Sequence, residues 1–126
     1  MNVIDSSAWL EYFAAGPNAE YFAAAIEATD ELIVPSVTLY EVFKRVAIQR
    51  SESEALTAVA QMQQGSVVEL SGPLALDSAR TSLDLRLPMA DSVILTTTRA
   101  FGATLWTQDA DFEAIDGVMY VKKASG

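Results

Sequence analysis

Short apolar runs alternate with helix-forming segments along this 126-residue sequence. Five runs have the length and apolar character of buried β-strands, namely residues 3–4, 32–34, 67–70, 103–107 and 118–121. Helical periodicity, with start and stop signals, fills most of the intervals between them. Strands separated by helices form right-handed βαβ crossovers, and strands apolar on both faces are typical of parallel sheets. The pattern therefore predicts an α/β fold with a mostly parallel β-sheet flanked by helices.

Capping residues predict where the helices begin. Ser6 or Ser7 is expected to cap a first helix, and Ser36 a helix that follows the strand at residues 32–34. Ser51 and Glu54 have the spacing of a capping box, which places another helix start there. Residues 122–126 are expected to form a tail.

The length and composition restrict the chemistry available to the chain. With 126 residues, 51% of them hydrophobic, the sequence fits one domain over residues 1–126. It contains no cysteine and no histidine, which excludes disulfides, thiol nucleophiles, and thiolate or imidazole metal sites. Any bound metal must be a hard cation that prefers oxygen ligands, and Mg²⁺ or Mn²⁺ are the natural candidates.

The net charge of −9 argues against a protein that simply coats nucleic acid, because such proteins are basic overall. It is compatible with an enzyme that touches nucleic acid locally and neutralises its acids with a cation, and it suits a protein that binds a basic partner. No apolar run approaches the roughly 20 residues of a membrane-spanning helix. The N-terminal residues 1–5 lack the basic region of a secretory signal, so we expect a cytoplasmic location.

Several acids lie where a parallel sheet would place a site. Asp5 ends the first strand, and Asp109 and Asp111 follow the strand at residues 103–107. Glu41 and Asp91 lie in helices that follow strands or begin near a sheet edge, within otherwise apolar stretches. In open α/β sheets, ligands bind beyond the carboxyl ends of the strands. We therefore expect these acids to converge.

Each acid alone also has a purely structural explanation. Asp5 could cap the first helix, Asp91 could favour the helix dipole, and Asp109 and Asp111 lie in a loop, where acids are common. Glu41 is the hardest to explain this way, because it is mid-helix among apolar residues. Two unit charges 4 Å apart repel by about 4 kcal/mol at an effective dielectric near 20. Several such acids in one pocket therefore need a cation or bound protons.

The remaining polar and aromatic residues carry weaker signals. Glu11 and the acids other than the five discussed above are expected on the surface. The aromatic residues, including Tyr40, recur at helical spacing with aliphatic residues and are expected in the core. Lys44, Arg45 and Arg50 follow Glu41 on one helix, where they either contact phosphates or form a solvated face.

Four short motifs occur in order along the chain. Residues 3–10 read as a hydrophobic strand followed by Asp and Ser, and residues 35–42 carry a Glu. Residues 90–94 have an Asp leading an apolar helix, and residues 105–112 contain Thr-x-Asp-x-Asp-Phe. Together they resemble the PIN domain, and within it the VapC-like toxins of bacterial and archaeal toxin–antitoxin pairs.

The resemblance implies an endoribonuclease with four carboxylates around Mg²⁺ or Mn²⁺: Asp5, Glu41, Asp91 and Asp109. Asp111 matches a more variable position and is expected to be secondary. Thr107 or Ser6 is expected to hydrogen-bond a ligand or water. The resemblance also implies an RNA substrate, a homodimer, and a partner antitoxin that blocks the acidic pocket.

Other function classes fit less well. A haloacid-dehalogenase-type phosphatase needs Asp-x-Asp after the first strand, whereas this chain has Asp5-Ser6-Ser7. A response-regulator receiver needs paired acids there and a late Lys, and a flap-nuclease relative needs a longer chain. The alternatives left open are a metal-dependent nuclease or phosphatase with no toxin role, and an interaction module whose acidic pocket binds a basic peptide.

Overall fold

The α/β prediction is confirmed by the computed structural model, which describes residues 1–124. Within these residues the chain forms five strands: β1 (Asn2–Ile4), β2 (Leu32–Pro35), β3 (Ser66–Val68), β4 (Thr104–Thr107) and β5 (Val118–Tyr120). They form one sheet in the order β3-β2-β1-β4-β5, and every neighbouring pair is parallel. The carboxyl ends of all five strands therefore lie at one edge of the sheet.

Pairs of helices make three of the crossovers that parallel strands require. The six α-helices are α1 (Ser6–Phe13), α2 (Ala19–Glu27), α3 (Ser36–Gln49), α4 (Glu52–Met62), α5 (Gly72–Leu85) and α6 (Met89–Ala100). The first pair leads from β1 to β2, the second from β2 to β3, and the third from β3 to β4. Short 3₁₀ turns lie at Thr29–Glu31 and Ala110–Phe112. In the part of the chain described, no helix has the length and apolar character needed to cross a membrane.

Neighbouring residues of β1 supply the two hydrophobic cores on opposite sides of the sheet. Ile4 belongs to a cluster that includes Trp9 of α1 and Met62 of α4, all fully or almost fully buried. Val3 belongs to a second cluster with Leu105 of β4 and Ile94 of α6. Both faces of the central strand are thus covered by apolar side chains, as parallel strands require.

The first and third helices begin differently from the prediction. The side chain of Asp5, not of Ser6 or Ser7, caps α1 by accepting a hydrogen bond from the Ser7 backbone N–H. Ser36 is already the first helical residue of α3, with extended Pro35 in the N-cap position, so its predicted capping role is wrong. The helix extends one residue further towards β2 than the capping pattern indicated.

Other local predictions have mixed outcomes. The Ser51 hydroxyl accepts a hydrogen bond from the Glu54 N–H at 3.1 Å, which confirms this helix start. The strand expected at residues 67–70 is instead Ser66–Val68, because it pairs only with β2, whose last residue is opposite Val68. Tyr40 is 64% exposed, so its expected place in the core is wrong. Of the predicted tail, residues 122–124 form no helix or strand, and 125–126 lie outside the described residues.

Candidate active site

A cavity of about 380 Å³ opens at the carboxyl edge of the sheet. Five carboxylates line it: Asp5, Glu11, Glu41, Asp91 and Asp109. The four acids that the sequence motifs singled out are all among them. The fold thus brings together side chains from the ends of β1 and β4 and from helices α3 and α6.

Asp5 is both a helix cap and a wall of the cavity. It lies between β1 and α1 and is only 2% exposed. Its Oδ2 accepts hydrogen bonds from the Ser7 hydroxyl at 2.6 Å, from the Ser7 backbone N–H at 3.3 Å and from the Thr107 hydroxyl at 2.9 Å. Asp5 therefore both caps the helix and belongs to the candidate site.

Burial raises the pKa of Asp5 from 3.8 to about 6, because the charged form loses its hydration. The negative charge of Asp109 adds to this rise in pKa, whereas the bonds from Ser7 and Thr107 oppose it. A substantial share of Asp5 therefore carries a proton near pH 6 when no cation is present.

Thr107, at the end of β4, holds the Asp5 carboxylate and the Asp109 backbone in place. Its side chain is fully buried, and its Oγ1 donates to Asp5 while accepting the Asp109 backbone N–H at 2.9 Å. Ser7, which the motifs did not single out, lies 3.4 Å from the same hydroxyl and also accepts the Gln108 N–H at 3.3 Å. Ser7 could have been found from the sequence, because a serine two residues after Asp5 lies within reach of the carboxylate that caps the helix.

Asp91, Asp109 and Asp111 form the tightest acidic group, with one carboxylate oxygen from each within 4.8 Å of the others. The Asp109 Oδ1 accepts the Asp111 backbone N–H at 2.9 Å, so the loop after β4 presents both acids together. Asp111, expected to be secondary, is thus an immediate neighbour of Asp91. Asp5 and Glu41 line the cavity beside this group.

The pKa of Asp91 is raised to about 8, first because burial removes its hydration. A side-chain hydrogen bond with Asp111 raises the pKa further, as do the charges of Asp109, Asp5 and Asp111. Asp91 is only 9% exposed and lies in the first turn of α6. Asp91 therefore holds a proton at neutral pH unless a cation replaces it.

Glu41 reaches the cavity from the middle of α3. Its Oε1 accepts a hydrogen bond from the Ser6 hydroxyl at 2.6 Å, which fixes a half-buried carboxylate against the first turn of α1. Ser6, predicted to hydrogen-bond a ligand or water, contacts this site carboxylate. The pair explains how an acid is tolerated within an otherwise apolar helical stretch.

The surface prediction for Glu11 is wrong, since this half-buried residue lines the cavity. Its Oε2 accepts the Asn18 backbone N–H at 2.7 Å. Sequence periodicity gave no indication of this, because the contact depends on how the chain turns between α1 and α2. Two cationic residues, Arg45 and Lys123, also line the cavity.

The donor set fits a hard divalent cation. The cavity offers carboxylate, hydroxyl and amide oxygens, and the sequence has no histidine or cysteine. Crowded acids with raised pKa values favour a doubly charged ion, because binding it removes their mutual repulsion. Metal binding is therefore chemically suited to this arrangement of residues.

Comparison with known families gives a match to the PIN domain over residues 3–118. Solved structures share the fold. The chain resembles a toxin–antitoxin complex from Klebsiella pneumoniae with a TM-score of 0.76 and 22% identity, covering 94% of this chain and 95% of the other. No curated protein matches the sequence.

Two further structures are similar. The sarcin–ricin-loop-cleaving toxin VapC20 of Mycobacterium tuberculosis has a TM-score of 0.77 at 16% identity, with 94% of this chain and 98% of that chain covered. A DNA-bound VapBC from Salmonella typhimurium has a TM-score of 0.72 at 16% identity, with 96% of each chain covered. At such identities the likeness establishes the fold.

Proposed function

This chain belongs to the PIN domain family, and on that basis we propose that it is a metal-dependent endoribonuclease that hydrolyses RNA phosphodiester bonds. The observation that carries the proposal is the convergence of Asp5, Glu41, Asp91 and Asp109 in one cavity. Two of these acids have raised pKa values, as expected of carboxylates assembled for a cation or for proton transfer.

Asp5, Asp91 and Asp109 are the proposed ligands of Mg²⁺ or Mn²⁺, and Asp111 is close enough to Asp91 and Asp109 to join them. When bound, such an ion supplies a Lewis acid for the phosphoryl oxygen and lowers the pKa of water. Glu41 is either a further ligand or the group that orients the attacking water.

The protein side chains have separate tasks in this proposal. Ser6 holds the Glu41 carboxylate at one side of the cavity, where it is available to accept a proton from water. Thr107 and Ser7 hold Asp5 through its Oδ2. The Oδ1 of Asp5 makes no hydrogen bond to another group within residues 1–124, which leaves it available as a ligand.

We also propose that the protein acts as the toxin of a type II toxin–antitoxin pair. The fold shared with toxins and toxin–antitoxin complexes supports a cognate antitoxin as partner, and RNA cleavage of this kind would take place in the cytoplasm. A homodimer is proposed as well. The exposed apolar side chains of Leu76, Leu83 and Met89 on α5 and α6 suit such an interface.

The decisive experiment combines cation binding and cleavage. Isothermal titration with Mn²⁺ and a cleavage assay on structured RNAs should both give a signal for the wild type and neither for Asp5→Asn. Asp84→Asn, an exposed change on α5, provides the matched loss of one carboxylate outside the cavity. Cleavage that survives both EDTA and Asp5→Asn would rule out this mechanism. A basic peptide that binds the cavity with no Mn²⁺ uptake would favour an interaction module.

A further inference from the structure

Two cationic side chains line the carboxylate cavity of a chain whose net charge is −9. Arg45 belongs to α3, and Lys123 belongs to the segment that follows β5. Within residues 1–124 the ion pairs are Arg50–Glu54 and Arg80–Asp77, so neither cavity cation forms one. Both side chains are long and exposed, and in the described part of the chain they form no ion pair although several carboxylates lie beside them. They therefore remain available to bind another anion.

The lack of an ion pair at Arg45 has a structural cause. Arg45 lies four residues after Glu41 on α3, the spacing at which an acid and a base on one helix face attract each other. Glu41 instead accepts the short hydrogen bond from Ser6 at 2.6 Å. The carboxylate is therefore held towards α1, and the guanidinium one turn later keeps its full donor capacity.

Asn18 fixes the segment that carries Lys123. Its Nδ2 donates to the Lys122 carbonyl at 3.1 Å and to Gln108 Oε1 at 3.0 Å. Gln108 is itself a cavity residue and follows β4 directly. The anchor therefore places the backbone before Lys123 beside the loop that carries Asp109.

The two cations reach the same cavity from different elements of the fold. Along the edge, α3 with Arg45 follows β2, Asp5 follows β1, Asp109 follows β4, and Lys123 follows β5. The carboxylates and both cations thus line one cavity, with Arg45 contributed by the helix after β2 and Lys123 by the segment after β5.

We propose that Arg45 and Lys123 form two phosphate subsites that bind the RNA backbone on either side of the scissile phosphate. This inference rests on the proposed ribonuclease function and adds the path of the substrate strand. The RNA strand crosses the cavity with its central phosphate at the carboxylates and its flanking phosphates at Arg45 and Lys123. Both residues position the substrate, and neither reacts with it.

The variants Arg45→Ala, Lys123→Ala and the double variant test this assignment in a steady-state RNA cleavage assay at several KCl concentrations. Each contact to a phosphate of a single strand contributes about 0.7 to the slope of log affinity against log salt. We expect the slope of log kcat/KM to fall by about 0.7 in each single variant and about 1.4 in the double variant. The kcat at saturating RNA should change little.

Matched controls separate local contacts from general charge. Lys122→Ala removes the same charge one residue away, and Arg80→Ala removes a cation already paired on α5; both should keep the wild-type slope. Mn²⁺ affinity in Arg45→Ala and Lys123→Ala should stay equal or rise, because a positive charge near the cation has been removed. A weakened interaction with RNA and an undiminished affinity for Mn²⁺ cannot both result from a loosened fold.

The outcomes distinguish the two proposals. If the wild type cleaves RNA and the slopes of Arg45→Ala and Lys123→Ala equal those of Lys122→Ala and Arg80→Ala, the phosphate subsites are wrong while the ribonuclease stands. If the wild type neither binds Mn²⁺ nor cleaves RNA, the proposed function itself fails.

Discussion

The Ser6 hydroxyl donates a 2.6 Å hydrogen bond to the Glu41 carboxylate, across 35 residues of sequence. The bond joins the first turn of α1, beside Asp5, to the middle of α3. It also keeps Glu41 away from Arg45, its natural partner on the helix. One serine thus governs the position of a carboxylate and the availability of a cation.

Replacing Ser6 should therefore reduce turnover without abolishing it. In Ser6→Ala we expect Glu41 to turn towards Arg45, with kcat lowered by about tenfold, less than the 10²–10⁴-fold attributed to a general acid or base. A double-mutant cycle with Glu41→Gln checks this. Adding Ser6→Ala to Glu41→Gln should cost almost nothing further, whereas fully independent effects of the two changes would contradict the assigned role.

Loss of the Thr107 hydroxyl should destabilise the protein. Thr107→Val keeps the shape of the side chain but removes one of the three hydrogen bonds to the Asp5 carboxylate and the acceptor of the Asp109 N–H. We expect the free energy of unfolding in urea to fall by about 1–3 kcal/mol.

Thr98→Val is the matched control for that substitution. The Thr98 hydroxyl is also buried, but it donates only to the Ile94 carbonyl of its own helix, at 2.8 Å. That carbonyl is in the middle of α6, where helical hydrogen bonding continues without the hydroxyl. A loss of stability in Thr98→Val equal to that in Thr107→Val would show that the site network has no special contribution.

The metal-free protein should become less stable as the pH rises. The pKa values of Asp5 and Asp91 are raised in the folded state to about 6 and about 8, so the folded chain holds more protons than the unfolded chain between about pH 4 and pH 8. This stabilisation is complete below the unfolded pKa and disappears as the pH passes the folded values. Urea unfolding in EDTA at pH 5 and pH 8 measures the difference.

Self-repulsion of an acidic chain also grows with pH, so a comparison of variants isolates the site. Asp91→Asn should flatten the decline in unfolding free energy between pH 5 and pH 8, whereas Asp84→Asn on the exposed side of α5 should leave it almost unchanged. Saturating Mn²⁺ should reverse the decline in the wild type. Equal pH dependence in both variants would mean that Asp91 does not titrate as described.

Cation binding should release protons. Because Asp5 and Asp91 are partly protonated near neutral pH, Mn²⁺ must displace those protons, and its affinity should rise by up to about tenfold per pH unit between pH 6 and pH 8. Titration calorimetry in two buffers with different ionisation enthalpies gives the number of protons released. A binding enthalpy identical in the two buffers would show that the acids are already ionised.

The fold was predictable because its signals are periodic and repeated. Short apolar strands such as β2, separated by capped helices, specify a parallel sheet even when the ends of the elements are uncertain. The same logic placed Asp5 and Asp109 at one edge of the sheet. Asp5 follows β1 and Asp109 follows β4, and these two strands pair in parallel. Local ends were less certain, as at Ser36, because one residue more or less of helix costs little free energy.

The inner contacts of the site were not predictable, because they depend on three-dimensional packing. Nothing local to Glu11 indicates that it faces the cavity, since this depends on the turn between α1 and α2 and on Asn18. The closeness of Asp111 to Asp91 depends on how the loop after β4 meets the first turn of α6. The sequence could identify candidate acids for the site, but only the packing shows which of them lie close together.

The bond between Thr107 and Asp5 joins residues 102 positions apart, at the ends of adjacent strands β4 and β1. A ribosome making this chain therefore synthesises the first acid long before the loop that completes its surroundings. A nascent chain that ends before β4 has Asp5 and Glu41 but no Asp109, and it lacks the strand that holds Asp5. The carboxylate site would thus be completed only late in synthesis.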